Sequence, residues 1–346
     1  SGASQGRSEW FLRATPRQSG EESTPVERSF SDFAILYRTH AQSRVLEEEL
    51  LKAGIPYKIY GGIKFYERRE IKDLLATMKV IFNPADDIAT KRLLARLPGV
   101  GKTSIERIAT DAARSHVSLM TFLDGGKSSQ IPERARKQIE DFVKRVAVFR
   151  KQAEFLNASQ LLDEIIRSTR FVVQLEEEET EEALARIENI KEFQGVAKDF
   201  AKSAEHPSLA GFLNHVALVT DLDRLDESKP FVTLMTLHNA KGLEFPVVFL
   251  VGLEEGIFPH SRSLFDPNDL EEERRLCYVG MTRAKESLYL ISAAERSLYG
   301  ENWSSAVSRF IEEIPGEMVT LCESPALAVR GASVEELEEE FDKTFD

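Results

Sequence analysis

Thr236-Leu237-His238-Asn239-Ala240-Lys241-Gly242-Leu243-Glu244-Phe245 is a polar, glycine-containing stretch set between two apolar runs. Phe231-Val232-Thr233-Leu234-Met235-Thr236 precedes it, and Val247-Val248-Phe249-Leu250-Val251 follows. Both runs have strand length and little alternation, the pattern of strands buried on both faces of a parallel sheet. A third run, Ser287-Leu288-Tyr289-Leu290-Ile291, comes after a helical pattern near residues 270–282. Far upstream, Phe33-Ala34-Ile35-Leu36-Tyr37 leads into an amphipathic helix with Val45, Leu46, Leu50 and Leu51 on one face. Gly54-Ile55-Pro56 ends that helix, and residues 57–60 read as a strand. This β-α-β order is the building block of a parallel sheet covered by helices.

The chain between these flanks has another character. Apolar residues recur at helical spacing: Ile71, Leu74, Leu75 and Met78; Ile139, Phe142, Val146 and Phe149; Leu161, Leu162, Ile165 and Ile166. The expected architecture is therefore α/β, with a parallel-sheet domain over residues 31–65 and 230–325 interrupted by a mostly α-helical domain over 66–229. Residues 1–30, rich in Ser, Gly, Arg and Glu, read as a poorly ordered or added segment. Residues 326–346 read as an acidic, mobile tail.

Bulk properties narrow the function classes. Of 346 residues, 42% are hydrophobic and 30% charged, as in ordinary soluble proteins, and no run suits a membrane helix or a secretion signal. Cys277 and Cys322 stand far apart and six histidines show no ligand spacing, so no metal site is expected and the reading is cytoplasmic. A net charge of −13 argues against nucleic acid at face value. Phosphate contacts need only local cations, however, and these gather at Lys64–Lys72 and Lys91–Arg107.

Three stretches carry candidate chemistry. In the opening stretch, His238 and Lys241 suit phosphate oxygens and Glu244 suits a ribose hydroxyl, because ligands settle outside the carboxyl ends of parallel strands. A plain connection between strands accounts for it equally. In Glu271-Glu272-Glu273-Arg274-Arg275-Leu276-Cys277-Tyr278-Val279-Gly280-Met281-Thr282-Arg283-Ala284, Arg283 offers a planar cationic fork for a γ-phosphate, or else complements the helix dipole. In Leu97-Pro98-Gly99-Val100-Gly101-Lys102-Thr103-Ser104, a P-loop would need glycine at Arg96 and a preceding strand. A turn between helices fits better. Gly99 and Gly101 would let the backbone approach DNA, with Lys102, Thr103 and Ser104 as phosphate partners, or simply close a tight turn. Leu161-Leu162-Asp163-Glu164 reads as a solvated helix face, and Phe65, Tyr66 and Phe82 as core rather than base-stacking aromatics.

Taken together, the first two stretches resemble motifs V and VI of the UvrD/PcrA/Rep-type superfamily 1 DNA helicases. Phe249–His260, Ser308-Arg309-Phe310 with Glu313-Ile314-Pro315, Ile35–Arg44, and Tyr60-Gly61-Gly62 through Asp73 extend the similarity over residues 32–315. The resemblance implies a RecA-like domain 2A carrying an inserted helical domain 2B, the carboxyl-terminal part of an ATP-dependent 3′–5′ helicase of repair or replication. Arg283 would then reach the γ-phosphate, and Glu244, with Lys241 and Gly242 beside it, the nucleotide. Arg38, His40, Lys64, His238 and His260 would line the single-stranded DNA path, although the family usually has asparagine where His40 stands. Gly99 to Ser104 would meet duplex DNA.

The resemblance further implies ATP and Mg²⁺ in the full-length enzyme, held chiefly by motor domains 1A and 1B. This sequence has no Walker A or Walker B match, and nothing before residue 30 matches the family's Asn-Tyr-Arg-Ser-Thr block. The chain alone is expected to bind no nucleotide tightly and to be inert as an ATPase. Expected partners are single-stranded DNA, single/double-strand junctions, the missing domains and DNA-repair proteins, with no membrane. The competing reading is a non-catalytic DNA- or protein-binding module from a truncated helicase paralogue.

Overall fold

Residues 9–14, 27–125, 131–222, 229–293, 295–298 and 301–322 are described by a computed structural model. The chain forms two compact units, Ser1–Lys64 with Asp223–Asp346, and Phe65–Leu222. Among the described residues the first unit holds nine strands: β1 Glu9–Ala14, β2 Phe33–Tyr37, β3 Tyr57–Ile59, β4 Val232–Thr236, β5 Phe245–Val251, β6 Ala284–Ala293, β7 Glu295–Leu298, β8 Glu301–Ser304 and β9 Val319–Cys322. Seven make one sheet in the order β3-β4-β2-β5-β6-β1-β9, and β7 pairs with β8. From β3 to β6 all neighbours are parallel, while β1 runs antiparallel to β6 and β9.

The α/β reading therefore holds, with a parallel centre. Its strands are apolar on both faces because both faces are covered. Ala34 and Leu36 of β2 join Met235, Val248, Leu250, Leu288 and Leu290 in one core. Tyr37 packs on the opposite face with Ile59, Val232 and Leu234.

Two details of the first unit's outer strands and first helix depart from the sequence reading. Residues 1–30 were expected to lack regular structure, yet Glu9–Ala14 forms a strand. Its partners are β6 and β9, hundreds of residues away, so no local periodicity announces it. The helix Ser43–Lys52 buries Leu51 as expected, with Leu46 and Leu50 half-buried, but Val45 is 41% exposed. Ser43, Arg44 and Glu47 are buried instead, made tolerable by hydrogen bonds: Ser43 Oγ donates to Glu47 Oε1 (2.5 Å) and Arg44 pairs with Glu48 (2.9 Å). The acidic tail 326–346 lies outside the described residues.

The second unit is helical throughout its described residues and has two cores. One gathers Leu74 and Met78 with Leu161, Ile165, Phe193 and Phe212. The other gathers Ala76 and Val80 with Leu94, Ile108, Phe142 and Val146. The helix Arg69–Phe82 thus serves both, one face to each. The expected apolar stripes of 71–78, 139–149 and 161–166 are all buried. Asp86, Ser118, Asn157 and Thr180 cap helix amino ends with their side chains, fixing where the helices start. Leu161-Leu162-Asp163-Glu164 lies in the helix Ala158–Ser168, with Leu161 and Leu162 inside and Glu164 bonded to Arg167 and Ser168, so no acidic strand end exists there. Phe65 and Tyr66 are core residues as expected, but Phe82 is 57% exposed because the helix ends there and its last turn overhangs the core.

Phe193 and Phe212 are fully buried with ring centroids 5.7 Å apart. Truncating Phe193 to alanine should cost about 3–5 kcal/mol in a denaturant titration. A loss below about 1 kcal/mol would mean that the core does not close around this ring.

Candidate functional site

The order β4-β2-β5 sets a geometric constraint on the segment 237–244. Both β4 and β5 run parallel to β2, so the eight residues between them must return from the carboxyl end of the sheet to its amino end. Thr236 pairs with Tyr37 and Val247 with Phe33, so Phe245 begins β5 about 20 Å below the end of β4, at roughly 3.3 Å per residue. The return starts in the 3-10 turn Leu237–Ala240, passes under the helix Pro267–Met281 and leaves through Gly242, whose φ is +86°. Leu237 and Ala240 are fully buried, and a Cβ on Gly280 would strike the Leu237 side chain. This corrects the expectation of one loop at the carboxyl edge. His238 lies at that edge, whereas Glu244 lies at the other.

The carboxyl edge is organised by Glu273, 4% exposed on the helix Pro267–Met281. Arg38, the first residue after β2, donates to it through Nε (2.9 and 3.0 Å) and Nη2 (2.6 Å). The backbone N–H of His260 donates to the same carboxylate at 3.0 Å. Behind Arg38, Gln42 Oε1 accepts from the N–H groups of Arg38 (3.0 Å) and Thr39 (2.8 Å). Gln42 itself fits only because Gly252, at φ +78°, has no Cβ.

His238 faces this group. Partial burial, then repulsion from the Arg38 guanidinium, holds its imidazole below the ordinary value of 6.5 against the pull of Glu273 and Glu272. The ring keeps a solvent-exposed edge, so water screens the effect. His40 lies edge-on to Tyr37 at 6.4 Å and packs against Gly62, while the Asn239 amide donates to the Gly61 carbonyl at 3.3 Å. Lys64 rests its ammonium over the Tyr57 ring at 5.7 Å. The structure thus gathers Arg38, His238 and His260 around one carboxylate that sequence reasoning passed over. Glu273 looked like one of three adjacent acids, but it shares a helical stripe with buried Cys277 and Gly280, and that spacing marks it as inward. Burial pushes the Cys277 thiol up to about 12, leaving an inert core residue.

At the amino edge, the half-buried Arg283 is fixed by backbone. Its Nε donates to Val279 O (2.8 Å), Nη1 to Leu243 O (3.1 Å) and Nη2 to Thr282 Oγ1 (2.9 Å). Val279 O is a terminal helix carbonyl, so the helix-completing role expected for this arginine is real. Three of its five N–H donors are used, which leaves two for an anion. The Phe245 N–H donates to Arg283 O at 2.9 Å, tying strand and arginine together. Glu244 is exposed, with Lys285 at 3.8 Å, and Lys241 and Gly242 are exposed on the way down.

Loop anchors explain other residues of the pattern. Glu254 (1% exposed) accepts from Arg296 at 2.8 and 2.9 Å, and Glu255 accepts from Arg309 at 2.7 and 3.0 Å. In the second unit, Gly99 has φ +80° and Gly101 caps the helix Lys102–Arg114. The preceding segment is the helix Asp87–Leu94, not a strand, which excludes a P-loop. Gly101, Lys102 and Thr103 are exposed, Ser104 half-buried, and a Cβ on Gly101 would meet open space. Nothing in the fold of the turn itself therefore requires glycine at 101.

Residues 17–295 match the UvrD-like helicase C-terminal domain, and the chain belongs to that family. It is 46% identical over 301 residues to the ATP-dependent DNA helicase PcrA of Bacillus subtilis, covering 85% of this chain and 41% of that protein. Against the PcrA helicases of Staphylococcus epidermidis and Staphylococcus aureus, identity is 42% and 41% over 298 residues, covering 84% of this chain and 41% and 40% of theirs. The chain thus spans about two fifths of the length of these relatives.

Because the folded state holds His238 below 6.5, the unfolded chain binds more protons in the window beneath that value. The stability owed to this group is complete above 6.5 and is lost as pH falls through the folded-state value. Arg38→Gln should raise the imidazole midpoint followed by NMR, and Glu273→Gln should lower it further. Shifts of the same sign in both variants would refute the electrostatic arrangement.

Proposed function

We propose that this chain is the carboxyl-terminal part of an ATP-dependent DNA helicase that moves 3′ to 5′ on single-stranded DNA and separates duplex in repair or replication. The observation that carries the reading is the segment Thr236–Phe245, which runs from the Arg38 and His238 group at one end of the sheet to the exposed Glu244 and the backbone-held Arg283 at the other. Kinship with proteins named ATP-dependent DNA helicase PcrA supports it.

The amino edge fits a nucleotide: Arg283 retains two donors and Glu244 an exposed carboxylate. Bound ATP with Mg²⁺ supplies the phosphoanhydride whose hydrolysis drives movement, and domains 1A and 1B of the full-length protein hold most of it. Arg283 contributes a fixed positive charge toward the γ-phosphate, Glu244 orients the ribose, and Lys241 and Gly242 complete that surface. At the other edge, Arg38, His40, Lys64, His238 and His260 contact single-stranded DNA. Gly99, Gly101, Lys102, Thr103 and Ser104 contact the phosphates of the adjoining duplex. The single/double-strand junction is therefore the substrate, and repair proteins are its partners. Without the other motor half, the chain binds DNA but hydrolyses no ATP.

In the full-length protein, Arg283→Ala should lower DNA-stimulated ATP hydrolysis by about 10³-fold or more, as arginine-finger losses do. An unchanged rate would remove Arg283 from the nucleotide site. For this chain alone, anisotropy on a duplex with a 3′ tail should show salt-sensitive binding. Lys102→Ala with Thr103→Ala should weaken it and flatten the log–log salt slope by about 0.9, one phosphate's share. An unaltered slope would take the turn away from the DNA.

A further inference from the structure

The carboxyl-terminal half of the helix Glu133–Gln152 is unusual in this acidic chain. From Phe142 to Gln152 it carries Lys144, Arg145, Arg150 and Lys151 and no carboxylate. All four are exposed, and none forms an ion pair among the described residues. Elsewhere in the same unit, surface cations such as Lys102, Arg114, Arg167 and Lys202 form an ion pair with a carboxylate one turn away, whereas Lys144 and Arg145 form none with Glu140 and Asp141, the acids one turn before them. Arg150 and Lys151 sit in the last turn and answer the helix dipole. Lys144 and Arg145 lie two turns earlier, beyond the reach of that explanation.

Exposed aromatics accompany these cations. A cleft of about 520 Å³ opens where the helix ends, lined by Ile81, Phe82, Ala147, Arg150, Lys151 and Leu209. Glu154 is the one carboxylate on its wall among the described residues. Phe82 is 57% exposed there, and Phe155, next to the wall residue Glu154, is 85% exposed. Neither ring is needed by a core, and leaving both in water is unfavourable. Unpaired cations select a polyanion, and exposed ring faces select a polyanion whose flat apolar groups are accessible. Single-stranded nucleic acid has both, whereas duplex DNA hides its base faces.

We infer that this cleft is a second DNA-contact surface of the helical unit, binding single-stranded DNA by stacking bases on Phe82 and Phe155 while Arg150 and Lys151 on its wall, and Lys144 one turn before the wall residue Ala147 on the same helix face, meet phosphates. It is separate from the glycine turn at residues 99–101. That turn lies against Arg134, at the start of the same helix, about 24 Å along the axis from Arg150. The inference deepens the DNA-acting reading and depends on it only for the choice of occupant.

The test is anisotropy of the full chain with a labelled oligothymidylate over a salt series, comparing Phe82→Ala/Phe155→Ala and Arg150→Gln/Lys151→Gln with the parent. All four side chains are exposed, so unchanged circular dichroism checks the fold. The aromatic pair should weaken binding about tenfold or more, and the cationic pair should flatten the salt slope by about 1.4. Retained oligothymidylate binding that neither pair alters overturns the inference and leaves the DNA-acting reading standing. Loss confined to an acidic, aromatic-rich peptide probe overturns it in favour of a protein partner. Failure of the parent chain to bind any DNA at low salt overturns the inference and the DNA-binding part of the functional reading together.

Discussion

A carboxylate with almost no access to water holds the carboxyl edge of the sheet together. Glu273 gives up its hydration and must be repaid by donors, and it finds them in the Arg38 fork and the His260 backbone. Those donors come from the end of β2 and from the loop after β5, while the acid comes from the helix packed above. Remove the charge and three segments lose their common point. The imidazole of His238 is set by the same pair, since Arg38 and Glu273 act on it with opposite sign. Glu254 repeats the device nearby, binding Arg296 and the Ala293 N–H. Buried acids here serve as clamps between loops rather than as isolated charges.

Arg283 shows that two readings of one residue need not compete. Its bonds to Val279 O and Leu243 O satisfy backbone carbonyls and at the same time immobilise the guanidinium. An arginine held in this way loses little further freedom when an anion arrives, which is what preorganisation means in energetic terms. The segment that supplies Leu243 O is the one that begins at Leu237 and carries His238. A shift of its buried residues, Leu237 and Ala240, would be felt at both edges.

Much of this was legible in the residues. The parallel strands were, because burial on both faces writes nearly unbroken apolar runs, and so were the helical stripes of the second unit. What escaped depends on partners distant in the chain. β1 and β9 are strands by virtue of each other and of β6, and Val45 lost its expected place to polar residues whose pairing no pattern displays. Arg283, Glu244 and His238 stand out in the sequence as candidates for contact with a ligand. Their separation to opposite ends of the sheet does not, since it follows from β2 lying between β4 and β5. Phe82 followed the core periodicity, but the helix stopped there and the next turn of partners was absent.

The insertion of one unit within the other has a consequence for the order of assembly. β3 and β4 are hydrogen-bonded neighbours, yet Ile59 and Val232 are separated by the entire helical unit. As an unstructured loop, those intervening residues would impose their full closure entropy on the pairing, a cost that grows with the logarithm of loop length. Helical contacts are local and form quickly, whereas this strand pairing joins residues on either side of the whole helical unit. A helical unit that folds first turns a long, floppy loop into a short rigid one. The pairing of β3 with β4 then follows the helical unit, a nested order that the topology favours.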